Sequence, residues 1–215
     1  MEAVIFILFS TIEVLAYFYI SFVMFRYKIQ HYFMQVLLFS FVYAGISYFI
    51  RHDTELSPIL GPFLSMILLF VLIFVLLRER IIFTMVMAIS GYIVFMIVQT
   101  LLTFMVVLVA GVSFGELGGT STLSRAMQLL TAVMLLGLGQ FLYKKGIGFT
   151  FTLKKLNSKW EYLLVMIIIS LFWIQLAAVL FYRNLIIAMI ISLVGFAGFL
   201  YYGIKKETDL LIRKE

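Results

Sequence analysis

The feature that most constrains this chain is the length of its uncharged apolar runs. No Asp, Glu, Lys or Arg interrupts Met66–Leu77 or Tyr162–Tyr182. Hydrophobic residues make up 65% of the 215 positions and charged residues only 12%. A soluble domain carries roughly twice that share of charge. No soluble core of this length hides so much apolar surface, whereas a bilayer accepts it. In hydrocarbon every backbone N–H and C=O needs a partner within the protein, so only helices and closed barrels span. Barrel strands alternate apolar and polar residues. These runs do not alternate, so the expected class is an all-α integral membrane protein.

Seven spans are expected, at about 3–25, 32–50, 58–77, 81–111, 123–143, 161–182 and 185–204. Each suits the ~20 residues that cross a ~30 Å core at 1.5 Å per residue. The fourth is long and should tilt or project beyond the bilayer. Ser57-Pro58 suits the opening of the third, since proline is tolerated at the first helical position. Pro62 should bend that helix near its entry. Arg183-Asn184 marks a tight turn between the last two spans. The domain division is a transmembrane bundle, 1–204, and a charged helical tail, 205–215. Met1-Glu2 lacks the basic region of a cleaved signal peptide, so the first apolar stretch is expected to stay.

Loop charge gives a direction. With the N-terminus outside, the inner segments hold Arg26, Lys28, Arg78, Arg80, Lys144, Lys145, Lys154, Lys155, Lys159, Lys205, Lys206, Arg213 and Lys214. The outer segments hold Arg51, Arg125 and Arg183. Lys and Arg concentrate on the cytoplasmic side of membrane proteins, so the C-terminus is expected in the cytoplasm. The same bias accounts for the net charge of +6 without nucleic acid. The expected location is a plasma membrane, multi-pass and of bacterial type.

Glu13 is the outstanding residue. It lies ten residues into the first span, ~15 Å deep on helical rise. An acid at that depth is costly and points to function by default. Ser10, Glu13, Tyr17 and Ser21 share one helical face, which should turn toward the bundle. No Lys or Arg is expected inside a span to act as countercharge, so the neutral acid is favoured. The functional reading is a ligand contact, proton site or switch; the plainer one is an acid hydrogen-bonded to a neighbouring helix.

Other spans carry neutral polar stripes: Ser40, Tyr43 and Ser47; Tyr92, Gln99 and Thr103; Ser124, Gln128 and Thr131, with Gln140 nearer the inner end; Trp173 with Gln175; and Ser192 with Gly195 and Gly198. Such residues commonly let helices approach and bond across interfaces. The sharper alternative is a central pocket collecting Glu13, Tyr17, Gln99, Gln128 and Gln175. His52 and Asp53 fall in an expected outer polar turn, 51–55, where a ligand contact competes with a plain solvated loop. His31 lies on the opposite side, so the two histidines share no metal site.

Gly115–Thr122 (GELGGTST) lacks the Gly-Lys-Ser/Thr ending of a phosphate-binding loop. The basic segment Gly146–Lys159 should lie along the inner membrane surface. Cysteine is absent, which removes thiolate chemistry and cysteine metal sites. Neither H-E-x-x-H nor G-x-S-x-G occurs. No enzyme and no cofactor is expected.

Leu153-Lys154-Lys155-Leu156 precedes the sixth span, and Ile204–Glu215 (IKKETDLLIRKE) follows the seventh as a charged helical exit. With seven spans and an external N-terminus, this layout resembles the N-terminal sensor domain of peptide-pheromone receptor histidine kinases of the accessory-gene-regulator type. The resemblance implies an extracellular or membrane-partitioned ligand, output through the last helix, dimerisation through that helix and a separate signalling partner. Those receptors continue into a phospho-accepting His and an ATP-binding domain. This chain has no His after His52, so a sensor fragment or a stand-alone sensor without its own kinase is expected. A small-solute transporter or importer subunit is the alternative, although the first span carries only Ala3 and Ala16 toward a coupling face. A structural or assembly membrane protein is the third.

Overall fold

A computed structural model describes residues 2–53, 57–111 and 122–146, together with Gly148, Ile190, Val194, Ala197, Gly198 and Tyr201. The described residues are helical apart from short connections, and no strand occurs among them. Five helices follow in order: α1 (Glu2–Met24), α2 (Phe33–Asp53), α3 (Ser57–Leu77), α4 (Ile81–Ala110) and α5 (Thr122–Lys145), with a 3-10 turn at Ile29–Tyr32 before α2. Four stretches are long and apolar enough to cross a membrane: Ala3–Met24, Ile29–Phe49, Ile81–Val109 and Thr122–Lys145. The expected spans at 161–182 and most of 185–204, and the tail, lie outside the described residues. Within 185–204, Ile190, Val194, Ala197, Gly198 and Tyr201 are helical.

Helix α1 is the hub. It packs against α2, α4 and α5, while α3 packs against α2 and α4. Of the four long apolar stretches, α4 is the most enclosed and the one containing α2 the least. The core gathers Phe18, Ile20 and Phe22 of α1 with Ile73 of α3, Met87 and Ile89 of α4, and Leu135 of α5. Leu38, Val109 and Val133 are exposed, as residues facing acyl chains would be.

Contacts fix the helix directions. Phe25 meets Phe83 edge-on at 5.4 Å, and Tyr17 meets Phe95 at 5.9 Å, so α4 runs antiparallel to α1. Phe6 contacts Tyr48 and Phe22 contacts Tyr32, so α2 is antiparallel as well. Ser10 meets Gln128, Tyr19 meets the Gly139 position, and Arg26 meets Gly146, so α5 runs parallel to α1.

Helices α1 and α5 therefore finish at one end of the bundle, where α4 begins after α3. The endings are left-handed. Arg26 has φ 56°; its N–H donates to Val23 O, and Tyr27 N–H donates to Phe22 O at 2.9 Å. That pair of bonds is a Schellman cap with arginine where glycine is usual. Arg78 has φ 52° and donates its N–H to Phe74 O. Gly146 (φ 67°) follows α5. At the opposite end Gly111 (φ 64°) closes α4 through its N–H to Val107 O.

Two sequence expectations need correction. Arg51, His52 and Asp53 are the last turn of α2 and not a polar turn. Nothing in that stretch breaks a helix: the first proline is Pro58, and polar side chains are tolerated at a wet helix end. Arg125 lies inside α5, in its first turn, and is half-buried. A long side chain so close to a helix start can carry its charge toward the interface while its stem packs.

Candidate functional site

Polar residues on α1 turn inward as their spacing requires. Ser10, Glu13, Tyr17 and Ser21 are all buried, at 4%, 9%, 3% and 0% exposure. On α5 the buried face is Ser124, Gln128, Thr131, Ala132, Leu135 and Gly139, an i, i+4, i+7 series that lies along α1. The two polar stripes thus share one parallel helix seam.

Most hydroxyls serve their own helix. Thr11, Ser21, Ser40, Thr84, Thr103 and Thr131 each donate to the carbonyl four residues back. That geometry satisfies a hydroxyl where no water is available. Tyr17 is different: its OH crosses to α4 and donates to Ala88 O at 2.7 Å. Its ring stands edge-on to Tyr92 and Phe95.

Gln128 also reaches across. Its Nε2 donates to Ser10 Oγ at 3.4 Å, a long bond. Its Oε1 is buried and accepts no hydrogen bond among the described residues. Leaving a buried carbonyl oxygen unsatisfied costs about 1–3 kcal/mol. The rest of the seam follows from helix register. Thr131, 1% exposed, falls at about the level of Glu13 on α5, and Gln99, half-buried, falls near that level on α4. Of the expected pocket residues, the structure therefore brings Glu13 and Gln128 to facing helices, Tyr17 one turn nearer the basic end, and Gln99 to a neighbouring helix. Gln175 lies outside the described residues. His52 and Asp53 sit at the far end of α2, away from Tyr17.

Sequence reasoning missed the buried Thr84, Ser90 and Thr100 of α4. Their positions stand among so many apolar residues on an enclosed helix that no stripe stands out. It also missed the coupling at the opposite end. Arg26 Nη2 donates to Gly146 O, and Tyr27 OH donates to Glu79 Oε1 at 3.4 Å. Two adjacent residues thus tie the end of α1 to the end of α5 and to the α3–α4 connection. Burial and then the Glu79 carboxylate push the Tyr27 phenol up to about 12.

Among the described residues no group of His, Asp or Glu could hold a metal ion. No family model, no curated protein and no solved structure matches the chain.

Proposed function

We propose that this protein is a sensor or receptor-type membrane domain, taking an extracellular or membrane-partitioned ligand at the α1–α5 seam. The observation that carries the reading is Gln128 Oε1, a buried acceptor with no donor among the described residues, one helix away from the buried Glu13. Six Ser and Thr hydroxyls of this bundle bond to their own helices and the Tyr17 OH is taken by Ala88 O, so an acceptor left open meets the N–H or O–H of a ligand. Glu13, Ser10 and Thr131 add polar groups along the same seam. Because α1 and α5 are parallel and joined again at Arg26–Gly146, displacement at Gln128 is carried along both helices to the basic end.

The proposal includes seven spans, an external N-terminus and a cytoplasmic C-terminus. Support comes from the helix directions, which gather Arg26, Lys28, Arg78, Arg80, Lys144 and Lys145 at one end and leave Arg51 and Arg125 toward the other. Output through the last helix, with a homodimer formed there and a separate signalling partner, rests on the resemblance of Ile204–Glu215 to a receptor's helical exit.

The test is copurification. The protein is extracted from its native membrane and its bound small molecules are identified by mass spectrometry. Wild type should retain a ligand that Glu13→Gln and Gln128→Leu release, with the folded yield kept. One lost hydrogen bond corresponds to about a twofold to tenfold weaker affinity. The reading fails if no ligand copurifies, or if both variants hold it as tightly as wild type. Transport of the ligand into proteoliposomes by the protein alone would replace the sensor reading with the carrier one.

A further inference from the structure

We propose that the basic end seats the phosphate of anionic phospholipid headgroups, between Arg26–Lys28 on one side and Arg78–Arg80 on the other. The inference rests on the membrane reading of the helices and is independent of any ligand at Gln128.

Three segments meet there. Arg26 donates to Gly146 O, next to Lys144 and Lys145, and Tyr27 donates to Glu79, between Arg78 and Arg80. The segment beyond α5 continues the contact, since a Cβ at Gly148 would lie 3.0 Å from both Arg26 Cγ and Met24 O. The six cations are all exposed. Glu79 is the one carboxylate in these segments, and its Oε1 already accepts the Tyr27 OH. The balance is strongly positive, and the two hydrogen bonds hold it as one surface and not three loose loops.

Position selects the occupant. The cluster stands where four apolar helices of membrane-spanning length begin or end. Headgroup phosphates lie at that level. Tyr143, 63% exposed, and the half-buried Tyr27 and Tyr32 supply the aromatic residues that favour the same interface. Arg26 and Arg78 hold a backbone conformation that suits glycine, yet each presents a guanidinium. A planar fork matches two phosphate oxygens at once. Backbone strain kept at an arginine is consistent with a charge needed at that place.

The full chain is reconstituted in nanodiscs of phosphatidylcholine alone, and in nanodiscs with phosphatidylglycerol replacing part of it. Thermal unfolding and native mass spectrometry of retained lipid are the readouts. Wild type should melt higher with phosphatidylglycerol and retain it preferentially. The preference should fall about fivefold for each charge removed, so roughly 25-fold in R78Q/R80Q, and fall less in R78K/R80K, which keeps the charge and loses the fork. Added salt should weaken it. If the double variant does not fold, the wild-type comparison between the two membranes decides alone. Equal melting and equal retention in both membranes would overturn the proposal. So would a shift of equal size from soluble glycerol phosphate, because the site would then read free phosphate and not a lipid.

Discussion

Ser21 and Gly91 are in such close contact that a Cβ at position 91 would lie 1.8 Å from Ser21 Oγ and 2.8 Å from Ser21 Cβ. The α1–α4 crossing depends on the missing side chain, since small residues let two helix backbones approach closely. Gly91→Ala should destabilise the fold by about 1–3 kcal/mol, the range for overpacking. Ser21→Gly in the same chain should recover part of the loss, because the nearest remaining atom, Ser21 Cα, is 3.3 Å away. Gly139→Ala should cost less, since it meets the ring of the half-buried Tyr19 at 2.5 Å and that ring can swing aside. Equilibrium unfolding in micelles ranks the variants, and a milder Gly91→Ala than Gly139→Ala would contradict the packing described.

Arg26 and Arg78 form a controlled pair. Both sit at positive φ, so glycine relieves the same strain at each. Net of the added freedom of the unfolded chain, Arg78→Gly should gain about 0.5–1 kcal/mol. Arg26→Gly also loses the bond to Gly146 O and should be less stable than Arg78→Gly by about 0.5–1.5 kcal/mol. Unfolding in a zwitterionic detergent keeps lipid charge out of the comparison. Equal stability of the two variants would show that the contact with Gly146 contributes nothing.

Tyr27 predicts a pH dependence. Its phenol titrates at about 12 in the folded protein, above the ordinary value of 10.0. Between those values the unfolded chain has lost the proton and the folded one keeps it. Stability contributed by the neutral phenol is therefore whole below 10.0 and lost as pH rises through about 12. Subtracting the Tyr27→Phe profile from wild type isolates this fall from the titration of lysines. A difference profile that stays flat across that window is the contrary result.

Gln128 separates binding from folding. Replacement by Met removes an oxygen with no donor among the described residues, together with one long bond. Stability should stay within about 1 kcal/mol of wild type while ligand retention falls. A loss beyond about 2 kcal/mol, measured by unfolding, would assign Gln128 to structure alone.

Sequence and structure agree where one physical quantity controls the outcome. Long apolar runs fold as helices, so the first five helices are legible to within a few residues, and four of the apolar stretches are long enough to cross a membrane. Helical spacing turns Ser10, Glu13, Tyr17 and Ser21 inward, and Ser124, Gln128 and Thr131 with them. What spacing does not reveal is which helices become neighbours. Arg26 and Gly146 are 120 residues apart, and Tyr27 and Glu79 are 52 apart, so no local pattern announces either bond. Arginine at a left-handed helix end runs against residue preference, and the continuation of α2 through Asp53 needs only that nothing stops it.

The parallel alignment of α1 and α5 also has a consequence in time. Two parallel helices cannot be joined by a hairpin, so the chain must pass through α2, α3 and α4 before the seam closes. During synthesis Ser10 is made long before Gln128 exists to meet it. The polar face of α1 has no α5 to pack against until the fifth helix emerges. Closure of that seam is thus the step at which the first helix is committed to its final place.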